Sequence, residues 1–144
     1  MSLEIAYDPT NIFAKILRGE MPCWKVYEDD HALAFLDIFP QGPGHTLVIP
    51  KIAATNVLSF PTEALGPYMA SVQHVARGVQ KAFAAEGITI FQFNGAAGGQ
   101  TVFHLHFHII PRHEGVGLIG HGKSAMVPND KLIAQRDAII AALG

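Results

Sequence analysis

The stretch TVFHLHFHII, Thr101 to Ile110, sets His104, His106 and His108 in strict alternation with Leu105, Phe107 and Ile109. A period of two over this length predicts a β-strand with a histidine face and an apolar face. Three histidines on one face admit three readings. The first is a metal site. Alternate residues stand about 6.6 Å apart, so the outer two rings start about 13 Å apart. Zinc-bound nitrogens lie about 2.0–2.1 Å from the ion. Two neighbouring rings converge on one ion; three along a regular strand do so with difficulty. A metal would need further ligands, such as His45 or His113, and no C-x-x-C or H-E-x-x-H spacing supplies them. The second reading is the wet face of a half-buried strand. The third is chemistry on phosphorus. Free imidazole titrates near pH ~6.5, so much of it is unprotonated and nucleophilic at neutral pH, while protonated neighbours neutralise developing charge. A histidine that attacks phosphorus forms a phosphoramidate, labile enough to pass its group to water.

The loop before this strand favours the third reading. NGAAGGQ, Asn94 to Gln100, carries three glycines. Glycines let backbone N–H groups turn inward on an anion, and Asn94, Gln100 and Thr101 add side-chain donors. Alone, such a loop is most often a plain hairpin turn. Joined directly to the histidine strand, it is a stronger candidate for a phosphate cradle. ITIFQF (Ile88 to Phe93) precedes it as a strand, so the loop is expected to close a hairpin.

Working outward, Thr62 to Glu86 reads as the main helix. Leu65, Met69, Val72, Val75, Ala76, Val79 and Phe83 recur at helical spacing, with Gln73, Arg77 and Lys81 opposite. Pro67 sits near its start, and Gly87 is a natural stop. Upstream, Lys25 to Glu28 and Ala32 to Ile38 read as strands joined at Asp29-Asp30-His31. FPQGPG (Phe39 to Gly44) is a turn, and HTLVIP (His45 to Pro50) is a third strand. A short helix lies within DPTNIFAKILRGEMP, capped by Asp8 or Thr10 and ended by Gly19 and Pro22. Beyond Pro111 come a glycine-rich stretch and a helix from Asn129 to Leu143. Five strands with hairpin links predict an α+β domain on an antiparallel sheet. No repeat or linker divides the chain, so residues 1–144 are expected to form one domain.

The 144 residues are 49% hydrophobic and 15% charged, enough for a sizeable core and unlike a disordered chain. A net charge of -2 offers no basic field for nucleic acid or an anionic membrane. No apolar run approaches ~18 residues, so no membrane span is expected. MSLEIAYD has no basic region before an apolar stretch, so no secretory leader is expected. A single cysteine, Cys23, excludes an intrachain disulfide framework and fits a reducing, cytoplasmic compartment.

Three segments together resemble a known family. GGQTVFHLHFHIIPR matches the His-x-His-x-His-x-x signature, x being apolar, of the histidine triad (HIT) superfamily. LAFLDIFPQGPGHTLVIPK resembles its upstream strand–turn–strand, and NIFAKILRGEMP its N-terminal helix. The resemblance spans about residues 10–112, leaving 113–144 as a less similar tail and helix. The pattern is most like that of Hint-like, bacterial-type nucleotide hydrolases. It implies a five-stranded antiparallel sheet with one main helix and short N- and C-terminal helices, running together with a second sheet across a homodimer.

By that resemblance, His106 is the nucleophile on the α-phosphate of a nucleotide conjugate, and a nucleotidyl-histidine forms and hydrolyses. His108 contacts phosphate and helps stabilise charge or the leaving group. Asp37 binds the ribose hydroxyls, and Ile38 packs near sugar and base. Asn94, Gly99, Gln100 and Thr101 contact the phosphate and departing group. Phe13 and Ile16 wall a purine, and His45 supports the histidine strand. His104, a zinc ligand in zinc-containing relatives, has the least defined role. The implied partner is a purine nucleotide, an AMP or GMP conjugate such as a nucleoside 5′-phosphoramidate. Two alternatives stay open: a dinucleoside-polyphosphate hydrolase, and a nucleotide-binding module with little turnover.

The chain departs from the pattern at the structural zinc of many bacterial relatives. Asn11 and Ala14 stand where those carry cysteines, and Ala53 stands where a ligand histidine follows IPK. Only His104 remains, and structural zinc takes four ligands. No structural zinc and no other cofactor is therefore expected. Read without the resemblance, Asp37 could simply cap the FPQGPG turn. His31, His74, His113 and His121 read as solvated, Cys23 as structural, and Trp24 as a packing or dimer-contact residue.

Overall fold

Alternation in the two central strands decides how the sheet is covered. The structure is a computed structural model in which Leu3, residues 6–120 and residues 123–144 are described; His121 lies outside them. Strand β1 (Lys25–Glu28) is followed by β2 (Ala32–Leu36) and β3 (Thr46–Pro50), and every residue of β2 and β3 is buried. Leu33, Phe35, Leu47 and Ile49 pack with Phe13 in one apolar cluster. Ala32, Ala34, Leu36 and Val48 belong to another. A strand buried on both faces needs a cover on each side.

The helices provide one cover. Helix α2 (Leu65–Ala82) and helix α3 (Asn129–Leu143) bring Tyr68, Val72, Val75, Val79, Leu132 and Ile139 onto the second cluster. Tyr68 donates its hydroxyl to the Val48 carbonyl at 2.7 Å, which satisfies its polar end inside that core. Gly78 lets the two helices meet, because a Cβ there would strike Leu143. Short helix α1 (Ile12–Leu17) covers the other face and starts on Asn11, whose side chain accepts from the Ala14 amide.

Strands β4 (Gly87–Phe91) and β5 (Phe107–Arg112) complete a five-stranded sheet in the order β1-β2-β3-β5-β4. All four pairings are antiparallel. No described helix is long and apolar enough to cross a membrane. The fold class is as the sequence predicts, but several boundaries differ. The main helix is shorter, with a 3-10 turn at Thr62–Ala64 before α2, and β2 stops at Leu36.

The largest correction concerns the histidine segment. The strand expected from Thr101 begins only at Phe107, so His104 and His106 lie outside the sheet. The β3–β5 ladder runs from Thr46 opposite Ile109 to Val48 opposite Phe107 and ends there. Pro50 has no N–H with which to extend it. Its carbonyl takes a bond from the His104 ring at 2.9 Å instead, and the Leu105 amide bonds the Ala54 carbonyl at 2.8 Å. The alternation of the sequence is not matched here by strand geometry: His104, Leu105 and His106 are all buried.

Candidate active site

A cleft of about 970 Å³ opens on the face of the sheet that carries α1. His106 and His108 line it, together with Asp37, Ile38, Thr101, Phe13 and Ile16. Residues widely separated in the chain therefore meet in one cleft. Sheet register explains His108. It stands opposite Leu47 in β3 and Phe91 in β4, and so shares their face. Phe91 stacks on its ring at 4.3 Å and 11°. His45 precedes Leu47 by two residues and points to the same face.

Fixed donors assign the ring protons. The Gln41 amide, which can only donate, bonds His45 Nδ1 at 3.0 Å. His45 must then carry its proton on Nε2, which lies 2.9 Å from His108 Nδ1. A neutral His108 accepts there and keeps its own proton on Nε2. His106 is oriented differently. Its Nδ1 lies 2.7 Å from the His104 carbonyl, an acceptor, so Nδ1 carries the proton and Nε2 the lone pair. Phe13 meets the His106 ring edge-on at 4.9 Å and 86°. The site thus pairs a ring set to attack with a ring set to donate, their centroids 4.9 Å apart.

Asp37 has two engagements. Its Oδ1 accepts from the Phe39 amide at 2.8 Å and so caps the turn. Its Oδ2 lies 3.7 Å from His45 Nε2. Asp37, His45 and His108 hold ligand atoms within 4.8 Å of one another. A cation there would have to displace the bond between the two histidines.

The glycine loop is built differently from the expectation. Gly95 and Gly99 take φ of 78° and 103°, where only glycine is unstrained. Gln100 is buried, and its Nε2 donates to the Thr55 carbonyl at 2.6 Å and the Val102 carbonyl at 3.0 Å. Its Oε1 accepts from the Gly95 amide. Asn94 bonds Gln92 and the Val57 amide. The side-chain donors of Gln100 and Asn94 are therefore committed inside the loop, which they shape from within. Thr101 is the exposed hydroxyl that lines the cleft.

The His104 ring does not line the cleft. It is fully buried behind it. Nε2 bonds the Pro50 carbonyl at 2.9 Å and Nδ1 the Tyr7 hydroxyl at 2.6 Å. Burial first, against the favourable Pro50 carbonyl, and then the neighbouring His106 hold its pKa down at about 4. The zinc set fails on the same observations. Ala14 and Ala53 have no ligand atom, Asn11 caps α1 and donates to the Asp8 carbonyl, and both His104 nitrogens are taken. These residues do not fit a structural zinc.

Several cleft residues lay beyond the sequence reading. Phe35, Leu47 and Val102 extend its apolar wall, and Met21 joins them from the end of the α1 segment. Alternation within β2 and β3 carried the signal for Phe35 and Leu47. Trp24 lines the cleft and also carries Arg136 of α3 over its ring at 5.5 Å, and Ser124 joins from the tail. Nothing local in the sequence links position 24 to position 136. Among the remaining histidines, His31 and His74 are exposed, and His113 bonds the Phe83 carbonyl at 3.1 Å. Burial pushes the Cys23 thiol up.

Residues 18–115 match the HIT domain family. A crystal structure of a Hit-like protein involved in cell-cycle regulation from Bartonella henselae superposes with a TM-score of 0.88 at 53% identity, covering 95% of this chain and 99% of that one. "Protein hit" of Bacillus subtilis (strain 168) is 48% identical over 102 residues, 71% of this chain and 70% of its own. Adenylylsulfatase HINT3 of Arabidopsis thaliana is 41% identical over 103 residues, 72% of this chain and 52% of its own.

Proposed function

The chain belongs to the HIT family, whose members are nucleotide-binding hydrolases, and we propose that it cleaves nucleoside 5′-phosphoramidates or adenylate-type conjugates through a covalent nucleotidyl-histidine on His106. The observation that carries this reading is the pair of ring tautomers. His106 Nδ1–H is held by the His104 carbonyl, which directs the Nε2 lone pair to attack. His108, whose Nδ1 accepts from His45, keeps its own proton on Nε2 and lines the same cleft, where it would meet the phosphoryl group.

His106 Nε2 attacks the α-phosphorus, and the bond to the leaving nitrogen breaks. That nitrogen takes a proton from solvent and departs as the amine. The modified ring is then an imidazolium whose Nδ1–H still faces the His104 carbonyl, so the developing positive charge meets a fixed dipole. Water attacks the same phosphorus, the bond to His106 breaks, and the nucleoside monophosphate leaves with release of one proton. Thr101 would receive a phosphate oxygen, while the Gly99 and Gln100 amides, bonded to the Ala96 and Gly95 carbonyls at 3.0 Å, close the loop on itself rather than meet phosphate as the resemblance implied. Asp37 Oδ2 would receive ribose, and Phe13, Ile16, Ile38, Phe35 and Met21 a purine. His45 acts through His108, and Asn94 through the loop it shapes.

The test offers the protein adenosine 5′-phosphoramidate, adenosine 5′-phosphosulfate and a diadenosine polyphosphate, and quantifies AMP. Turnover of the first, lost in His106→Ala, supports the reading. Preference for the polyphosphate places the protein in the dinucleotide-hydrolysing branch. AMP binding without any turnover marks a binding module. No zinc or other cofactor takes part in this reading, so metal analysis showing one tightly held zinc per chain would overturn that element. A reducing, cytoplasmic setting fits the one cysteine. A homodimer fits the free edge of β4, argued below.

A further inference from the structure

We infer that Tyr7 is a positioning residue for the attacking ring, acting through His104. The inference rests on the reading of His106 as nucleophile. Residues 101–106 belong to no strand, so no ladder fixes the peptide whose carbonyl orients His106. Two anchors hold it instead. One is the Leu105 amide on the Ala54 carbonyl at 2.8 Å. The other is the His104 ring.

That ring is clamped at both nitrogens. The Pro50 carbonyl can only accept, so His104 Nε2 carries the proton and donates at 2.9 Å. Nδ1 is then an acceptor, and the Tyr7 hydroxyl at 2.6 Å must be its donor. The Tyr7 ring also meets the His104 ring at 5.6 Å and 67°. With both ends bonded and the ring fully buried, the ring cannot rotate without breaking a bond. The His104 carbonyl is thereby held 2.7 Å from His106 Nδ1. The order of contacts is Tyr7 hydroxyl, His104 ring, His104 carbonyl, His106 ring. A metal that took His104 would occupy a nitrogen Tyr7 or Pro50 now uses. Tyr7 touches neither the cleft nor any group expected to meet substrate.

Tyr7→Phe in the full chain removes the hydroxyl and keeps the ring. Loss of one such supporting hydrogen bond is expected to lower activity by about 2-fold to 10-fold. The fall is expected in kcat on adenosine 5′-phosphoramidate, with KM and AMP affinity unchanged. Nitrogen-15 spectra of the histidine rings give a second readout that simple destabilisation would not move. Wild-type His104 is expected as the pure Nε2–H tautomer, and Tyr7→Phe shifts its Nδ1 resonance together with the His106 Nδ1–H. His104→Gln, which keeps a donor for Pro50 and an acceptor for Tyr7, is expected to lose less kcat than His104→Ala. An unchanged kcat in Tyr7→Phe, or a lower kcat with both rings spectroscopically unmoved, overturns the inference. If the wild type fails to turn over the phosphoramidate, the functional reading fails. The inference is then decided by whether the His106 Nδ1–H resonance moves in Tyr7→Phe.

Discussion

A buried imidazole with both nitrogens bonded resists protonation, because the charge has no solvent and a second ring proton would force the Tyr7 hydroxyl to turn from donor to acceptor. His104 is held at about 4 for this reason, burial being the main cause. In the unfolded chain it titrates near ~6.5. Between these values the unfolded state binds more protons than the folded one, so stability falls as the pH falls. His104's contribution is fully present above pH ~6.5, is lost down to about 4, and is flat below. Between pH 7 and pH 5 the loss from this group is about 2 kcal/mol. Urea denaturation at the two values should show a pH dependence smaller by about that amount in His104→Gln than in wild type. Equal pH dependence in both would contradict the clamp. The histidines were legible in the sequence and the family resemblance divided their roles, but the bonds that set each ring's tautomer were not. Tyr7 lies in a segment with no periodicity, and its partner stands 97 residues away.

At the scale of elements, β4 is an edge strand with an apolar outer side. Ile90 is 45% exposed and Met69 of α2 38% exposed. Together with Ile88, Val72 and Ala76 they line an apolar hollow of about 340 Å³. An unpaired edge beside such a surface invites pairing with a second copy. The protein is expected to sediment as a dimer at micromolar concentration, and Ile90→Glu as a monomer. A monomeric wild type would contradict this surface's role. The loop makes a separate prediction. Gly99 takes a φ of 103°, and a Cβ there would lie 3.3 Å from the Phe93 ring. Gly99→Ala should therefore lower stability by about 1–2 kcal/mol, read from the urea midpoint. The sequence predicted both elements, because glycine clusters and period-two runs are local signals. It placed the start of β5 six residues early, because the alternation of histidine and apolar residue runs on through His104–His106 while the ladder does not. What ends the ladder is Pro50, on a different strand.

At the scale of the whole molecule, the tail completes the cleft. Arg136 of α3 lies over Trp24, and Ser124 reaches the same wall. The contacts of Arg136 are with Trp24 and Asp137 and those of Ser124 with the Phe39 carbonyl, none with a histidine, so Arg136→Ala is expected to raise KM several-fold and leave kcat unchanged. A fall in kcat alone would place Arg136 in the chemical step. The five-strand antiparallel class followed from pattern; the docking of α3 against α2 and β1 depends on residues with no sequence proximity to their partners. The covalent step is the central proposal. Its direct measurement is mass spectrometry of the protein quenched in alkali during turnover of adenosine 5′-phosphoramidate. The account predicts an adenylyl adduct on the peptide carrying His106, absent from His106→Ala, whose turnover falls on the order of 1,000-fold or more. Turnover without any adduct, equally fast in His106→Ala, would contradict it.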